Sequence, residues 1–204
     1  MMKKNNAVLG RNTWFFDLWA SSYDFAPFQF WMKRFHKPVL KELAPAKMKI
    51  LDLSCGSGEL LKEIQVRFPK AELYGVDISA KMLEIARTKL SGRKVILQKM
   101  DVHALQYPSN YFDFVFSTEA FHHYYDQQKA VEEMKRVVKE RGKVMIVDIN
   151  FFWSVIHRIF ERIEPGCVRI KSKREMRDLF RGVGLREVSQ ERSFLFSVAT
   201  VGIK

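Results

Sequence analysis

Only two cysteines, Cys55 and Cys167, occur in the 204 residues. That is too few for a disulfide framework or a cysteine metal cluster. No apolar run approaches the length of a membrane span, and the opening Met-Met-Lys-Lys-Asn-Asn leads into no secretory apolar stretch. A cytoplasmic location is therefore expected. Internal repeats and low-complexity segments are also missing. With 47% hydrophobic residues the chain can bury a sizeable core, and its length suits one domain of ordinary size with appended segments.

A further absence is more specific. Residues 50–60 read ILDLSCGSGEL, an apolar run that ends in Asp52 and breaks into a small-residue turn before a helix. Ser54, Gly56 and Gly58 let the backbone pass close to a bound ligand there. A dinucleotide-binding turn wants a third glycine three residues on, over a pyrophosphate, and that position is Leu61. A nucleoside cofactor without phosphates fits better. Two more apolar runs end in carboxylates at matching places. LYGVDI at 73–78 delivers Asp77, placed to hold a ribose diol, and the strand 95–100 delivers Asp101 and Val102, placed at an adenine edge. Ser79 supplies the cap of the helix after Asp77.

These stretches resemble the class I S-adenosylmethionine-dependent methyltransferases, especially the branch similar to ubiquinone and menaquinone C-methyltransferases. The resemblance rests on LDLSCGSG at 51–58, GVDIS at 75–79, MDVHAL at 100–105, FDFVFSTEAFHHY at 112–124 and RVVKERGKVMIVDI at 136–149. Members often carry glycine where this chain has Ser54. The resemblance implies that Asp52, Ser54 and the Gly56–Gly58 turn face the methionine part of S-adenosylmethionine. It places Asp77 on the ribose, Ile78 on the adenine face, and Asp101 with Val102 at the adenine edge. Thr118 and Glu119, where the fourth strand ends, complete the cofactor-facing set. S-adenosylhomocysteine would be the product.

Alternating strands and helical stripes predict an α/β, Rossmann-like, seven-stranded, mostly parallel sheet with the last strand antiparallel, helices on both faces and an N-terminal helical cap. The stripe Ala130, Val131, Met134, Val137 and Val138 predicts a helix closed by Gly142, before a strand over 143–149. Ser172 and Glu175 predict a capping box. Residues 1–48 form an expected cap, 49–204 the domain, and 150–171 a lid insertion. Within and beside these flanks Trp14, Trp19, Tyr23, Phe121, Phe151 and Trp153 are candidates for an apolar substrate pocket.

Charge follows the same division. Residues 1–49 hold nine Lys or Arg against three acids, and residues 150–193 hold ten against six, whereas residues 50–149 hold fifteen against fourteen. With Lys204, the segments outside the core thus carry +11 of the net charge of +12. A solvated basic surface explains this as well as an anionic partner does. The expected partner is a small, apolar or amphiphilic substrate, with an anionic membrane surface also considered and nucleic acid disfavoured, because no RNA-binding module or dense basic tract is present. A non-catalytic binding protein on the same fold is the other class of reading. Where the acceptor must lose a proton, His122 or His123 could take it, with Asp148 as a further candidate. No metal site is expected, since the histidines have no evident partner ligands. Oligomeric state is left open.

Overall fold

The computed structural model describes the backbone of residues 2–19 and 26–204, and the side chains of residues 8–14, 16–18 and 33–204. Seven strands form one sheet in the order β3-β2-β1-β4-β5-β7-β6. They are β1 Lys49–Leu53, β2 Glu72–Asp77, β3 Val95–Lys99, β4 Phe112–Thr118, β5 Val138–Ile149, β6 Arg186–Phe194 and β7 Ser197–Ile203. The first five run parallel, and β7 lies antiparallel between β5 and β6. The tight link between β6 and β7 leaves no room for the crossover that a parallel pair would need, so reversal is forced.

Strand residues alternate between two hydrophobic layers, as a period of two requires. On one face Ile50, Phe114 and Phe116 pack with Leu61 and Ile64 of α3 (Glu59–Arg67) and Leu83 of α4 (Ala80–Lys89). On the other, Leu51, Val115 and Ile146 pack with Val131 and Met134 of α5 (Gln127–Val137) and Phe180 of α7 (Lys173–Gly182). Each fully buried large side chain in these layers contributes about 1.5–3 kcal/mol. The capping box at α7 is present in both directions, with Glu175 N donating to Ser172 Oγ and Ser172 N donating to Glu175 Oε2. Ser79 likewise caps α4 by accepting from Met82 N at 3.1 Å.

Two expectations are corrected or divided. The helix does not run to Gly142; α5 stops at Val137, and β5 begins at Val138 opposite Phe112. Register then jumps, so that Phe114 faces Lys143, and the intervening bulge puts Arg141 at φ 62°. Gly142 is needed there for another reason. A Cβ on it would lie 2.7 Å from Val138 Cγ2 and 2.9 Å from the carbonyl oxygens of Asp113 and Lys139. Residues 1–48 also split into two helices of different placement. In α2 (Ala26–Glu42) Phe35 and Val39 bury into the sheet layer beside α3, while α1 (Met2–Trp19) ties to the start of α4 through Ser79 Oγ donating to Asp17 Oδ1 at 2.5 Å.

Strand order reverses between β1 and β4, and crevices for ligands open outside the carboxyl ends of strands at such a switch point. The carboxyl ends of β1, β2, β3 and β4 all meet there.

Candidate active site

Beyond these strand ends lies a cavity of about 740 Å³, its open mouth included, lined from the turn after β1 by Ser54 and Gly56 and from the ends of β2 and β3 by Asp77, Ile78, Asp101 and Val102. Thr118, Glu119, His123 and Tyr124 close one side, and Leu9, Asn12 and Phe16 of α1 lie across it.

The turn owes its shape to a few bonds. Ser54, Gly56 and Gly58 all have positive φ, at 61°, 52° and 76°. A serine in this left-handed region is costly, and its hydroxyl is held by Tyr124 Oη at 2.9 Å. Tyr124 Oη also bonds Ser117 Oγ at 2.9 Å. Asp77 fastens the turn to β2, because Oδ2 accepts from Gly56 N at 2.9 Å and Oδ1 from Ser79 N at 2.8 Å. Each carboxylate oxygen keeps a lone pair for a diol. Burial raises the Asp77 carboxyl against the pull of the Ser79, Gly56 and Ile78 N–H groups.

Asp52 sits beneath the turn, 2% exposed and outside the lining, and its Oδ1 has no hydrogen-bond partner among the described residues. Burial, and then repulsion from Asp77, push its carboxyl well above the usual range. Two buried acids near one turn, one of them with an unpaired oxygen, favour a cation nearby. The sulfonium and ammonium of S-adenosylmethionine answer that demand, so the residues present fit the cofactor. Gly58 is not part of the lining either. It begins α3 and its Cα faces α4, where a Cβ would lie 2.9 Å from Leu90 Cδ1.

At the β3 end Asp101 is bonded on both oxygens. Oδ1 accepts from His103 N at 2.9 Å and faces His103 Nδ1 at 2.5 Å, and Oδ2 accepts from Tyr125 Oη at 2.8 Å. His103 Nε2 accepts from Asp126 N at 3.3 Å, which assigns the ring proton to Nδ1. Tyr125 stacks on the His103 ring with centroids 3.7 Å apart. Half-burial works to raise the Asp101 carboxyl, but the His103 and Tyr125 bonds outweigh it and hold the group below its ordinary value. An ionised acceptor thus stands among the apolar side chains of Ile78, Met82, Met100 and Val102.

The two adjacent histidines divide. His123 lines the cavity, and Asn12 Nδ2 donates to its carbonyl oxygen at 2.9 Å. His122 lies behind, with Nδ1 2.6 Å from Asp148 Oδ1 and Nε2 3.4 Å from Glu164 Oε1. Burial opposes a charge on His122, yet Asp148 and Glu164 raise it to about 10. Burial, reinforced by the charge on His122, pushes His123 well below its ordinary value. Glu119 completes the wall, its carboxyl raised well above normal by burial and by Asp148, with Oε2 unpartnered among the described residues.

The expected substrate aromatics fare differently. Trp14 is 65% exposed and Trp153 67%, and neither lines the cavity. Phe121 is buried in the core, and Phe151 packs against Phe160 and Phe196. The side chains of Trp19 and Tyr23 lie outside the described residues. In their place the wall uses Phe16, Tyr124 and Tyr125. His103, Tyr125 and Asn12 escaped the sequence reading. His103 and Tyr125 follow motif residues closely, but only the fold brings both onto Asp101.

Residues 51–146 match the family model described as a methyltransferase domain. A demethylmenaquinone methyltransferase of Thermotoga maritima is 32% identical over 119 residues, which cover 58% of this chain and 50% of that protein. The chain spans about half the length of the curated relatives it matches. A chain of the Haloferax volcanii complex between the Trm112 methyltransferase activator and a methyltransferase superposes with TM-score 0.79 at 23% identity, over 92% of this chain and 96% of that one. A SAM-dependent methyltransferase of Aquifex aeolicus gives TM-score 0.66 at 23% identity, over 82% and 88%. At such identities the likeness of the solved structures is one of fold. The match to the methyltransferase-domain model thus runs from within β1 to within β5, and the likeness in fold to the solved methyltransferase structures extends over most of the chain.

Proposed function

We propose that the protein transfers a methyl group from S-adenosylmethionine to a small, apolar or amphiphilic acceptor. The observation that carries this reading is the convergence of Gly56, Asp77, Ile78, Asp101 and Val102, from the ends of three strands, on one cavity. When bound, S-adenosylmethionine supplies a sulfonium-borne methyl for in-line displacement. The chain's own residues bind and orient. Asp77 holds the ribose hydroxyls, Asp101 accepts at the adenine edge, and Ile78 and Val102 cover the ring faces. Asp52 and the Ser54–Gly56 turn receive the cationic methionine end. Thr118, Glu119 and His123 form the acceptor side, with His122 fixed behind by Asp148. Collinear placement of donor and acceptor then lowers the barrier.

Helix α1 is the cover of this site, and the segment 150–171 packs behind its wall, where Val168 N donates to the His122 carbonyl oxygen at 2.8 Å. Leu9, Asn12 and Phe16 already line the cavity. Beyond it, α6 (Ser154–Ile163) exposes Val155, Ile159 and Ile163 at four-residue spacing, with Arg158 and Arg162 exposed beside them. An apolar stripe edged by arginines suits an anionic membrane surface, the place where an amphiphilic acceptor resides. The name of the Thermotoga relative, a demethylmenaquinone methyltransferase, supports that acceptor class.

Isothermal titration with S-adenosylhomocysteine tests the cofactor assignment. Binding is expected, and Asp77→Ala should weaken it at least tenfold, since two hydrogen bonds to an ionised group are worth more than about 1.4 kcal/mol. Failure of the folded wild type to bind either S-adenosylmethionine or its product would end the proposal. Flotation with vesicles tests the surface. Anionic vesicles should carry the protein and Ile159→Asn should reduce the yield, whereas no flotation on any vesicle would remove the membrane from the reading.

A further inference from the structure

Behind the acceptor wall, side chains from two distant segments converge. His122 and His123 are consecutive in the short 3-10 turn Phe121–His123, and Glu164 caps the end of α6. One donor atom from each lies within 4.8 Å of the others. His122 Nε2 is 3.3 Å from Glu164 Oε2, and His123 Nε2 is 3.7 Å from Glu164 Oε1. Ligands about 2.0–2.1 Å from a tetrahedral ion stand roughly 3.3–3.4 Å from one another, so the two histidine–glutamate separations are near those of a coordination shell, and the third pair would draw in from within 4.8 Å.

The surroundings point the same way. His122 uses Nδ1 on Asp148 Oδ1 at 2.6 Å, and both side chains are buried. That is the carboxylate–histidine arrangement which orients a metal-ligating imidazole and leaves Nε2 as the ligand. His123 is 8% exposed, its Nδ1 has no hydrogen-bond partner among the described residues, and its Nε2 is beyond hydrogen-bond reach of Glu164. Glu164 Oε2 is also without a hydrogen-bond partner there. A buried carboxylate oxygen left unmatched is costly, and a cation bound by Glu164 Oε2 would satisfy it. Further carboxylates stand close by, since Asp148 and Glu164 both act on Glu119.

We propose that His122, His123 and Glu164 form a three-ligand site for a divalent transition-metal ion such as Zn²⁺, with Asp148 orienting His122. Two imidazoles and one carboxylate suit zinc, cobalt or ferrous iron and not magnesium or calcium, which prefer all-oxygen shells. A site with three protein ligands keeps a position for water or substrate. His123 belongs both to this site and to the cavity wall, so the ion stands at the acceptor end of the cavity, where an acceptor oxygen could occupy the remaining position. The inference needs no bound S-adenosylmethionine and stands or falls separately from the methyl-transfer reading.

Untagged protein, stripped with a chelator and dialysed, would be titrated with Co²⁺ while its ligand-field absorption is followed, and with Zn²⁺ against a chromophoric chelator. One equivalent per chain with a tetrahedral Co²⁺ spectrum is expected. His123→Ala and Glu164→Gln should each weaken binding at least tenfold, and Asp148→Asn by about 10–100-fold. His36→Gln, at the separate buried pair of His36 with Glu63, should leave it unchanged. Melting curves identify any variant that fails to fold, in which case the wild-type titration decides. Wild-type protein that takes up no stoichiometric Co²⁺, or His123→Ala and Glu164→Gln proteins that bind as the wild type does, would overturn the site.

Discussion

The hydroxyl of Tyr124 ties the cofactor turn to β4, and a double-mutant cycle with Ser54 can measure that tie. In Tyr124→Phe two hydrogen bonds are lost, those to Ser54 Oγ and Ser117 Oγ. Ser54 can turn its hydroxyl toward the cavity that it lines. Ser117 is 0% exposed, so its hydroxyl is left without a partner. A neutral hydrogen bond is worth about 0.5–1.5 kcal/mol, and a stranded buried group costs about 1–3 kcal/mol, which gives roughly 2 kcal/mol of lost stability. Ser54→Gly behaves differently. It relieves a left-handed serine, a gain of about 1–2 kcal/mol, but loses the Tyr124 bond and loosens the unfolded chain by about 0.5–1 kcal/mol. In the wild-type background these effects nearly cancel. With Phe at 124 there is no bond to lose, so Ser54→Gly should stabilise that protein. The expected coupling is about 1 kcal/mol, read from equilibrium urea unfolding of the four proteins at constant m-value. Strict additivity, with coupling under about 0.3 kcal/mol, would refute the claim that Tyr124 holds Ser54 in its strained conformation.

Other outcomes follow from the same geometry. Asp52 has a folded-state carboxyl raised above its unfolded value, so the folded chain holds a proton that the unfolded chain releases above about pH 4. Its contribution to stability therefore falls as pH rises from there toward the folded-state value. Asp52→Asn should stabilise the protein at about pH 7 and have little effect below about pH 4, while weakening S-adenosylmethionine binding; urea unfolding at both pH values checks it, and a pH-independent difference would count against the assignment. Asp101 has the opposite sign, its carboxyl being held low by His103 and Tyr125. Its stabilisation is present above about pH 4 and is lost as pH falls through the folded value, so Tyr125→Phe should narrow the acid-stable range. Gly142→Ala puts a Cβ against two carbonyl oxygens at 2.9 Å and should cost about 1–3 kcal/mol in a melting experiment.

The parts legible in the sequence were those set by local rules. The Ser79 cap and the Ser172–Glu175 box follow from spacing and side-chain chemistry and are present, as is the end of β2 at Asp77, whereas Asp52 is the penultimate residue of β1 and Asp101 stands two residues past the end of β3. The end of α5 was not legible. Val137 and Val138 continue the helical stripe, but Val138 finds a β partner in Phe112, and pairing across 26 residues leaves no trace in the local pattern. The histidine cluster was hidden for the same reason. Glu164 lies 42 residues beyond His122, and only the return of the chain after α6 brings them together.

Helix α1 shows why aromatic content alone misplaced the substrate wall. Leu9, Asn12 and Phe16 recur at spacings of three and four and face the cavity, whereas Arg11, Trp14 and Leu18 recur with the same spacings on the exposed side. Both stripes are equally helical, so periodicity could not tell inside from outside. Each stripe holds two apolar residues and one polar or charged one, Arg11 outside and Asn12 inside, where Asn12 is spent on the carbonyl of His123 while the neighbouring Asp17 meets the hydroxyl of Ser79. Among its described residues this helix is held over the site by the Asn12 and Asp17 hydrogen bonds and by the edge-to-face contact of Phe16 with His123, while Trp14 and Leu18 turn outward. What tells the inner stripe from the outer is Asn12, a polar residue set between Leu9 and Phe16 that finds its partner only across the site, at the carbonyl of His123.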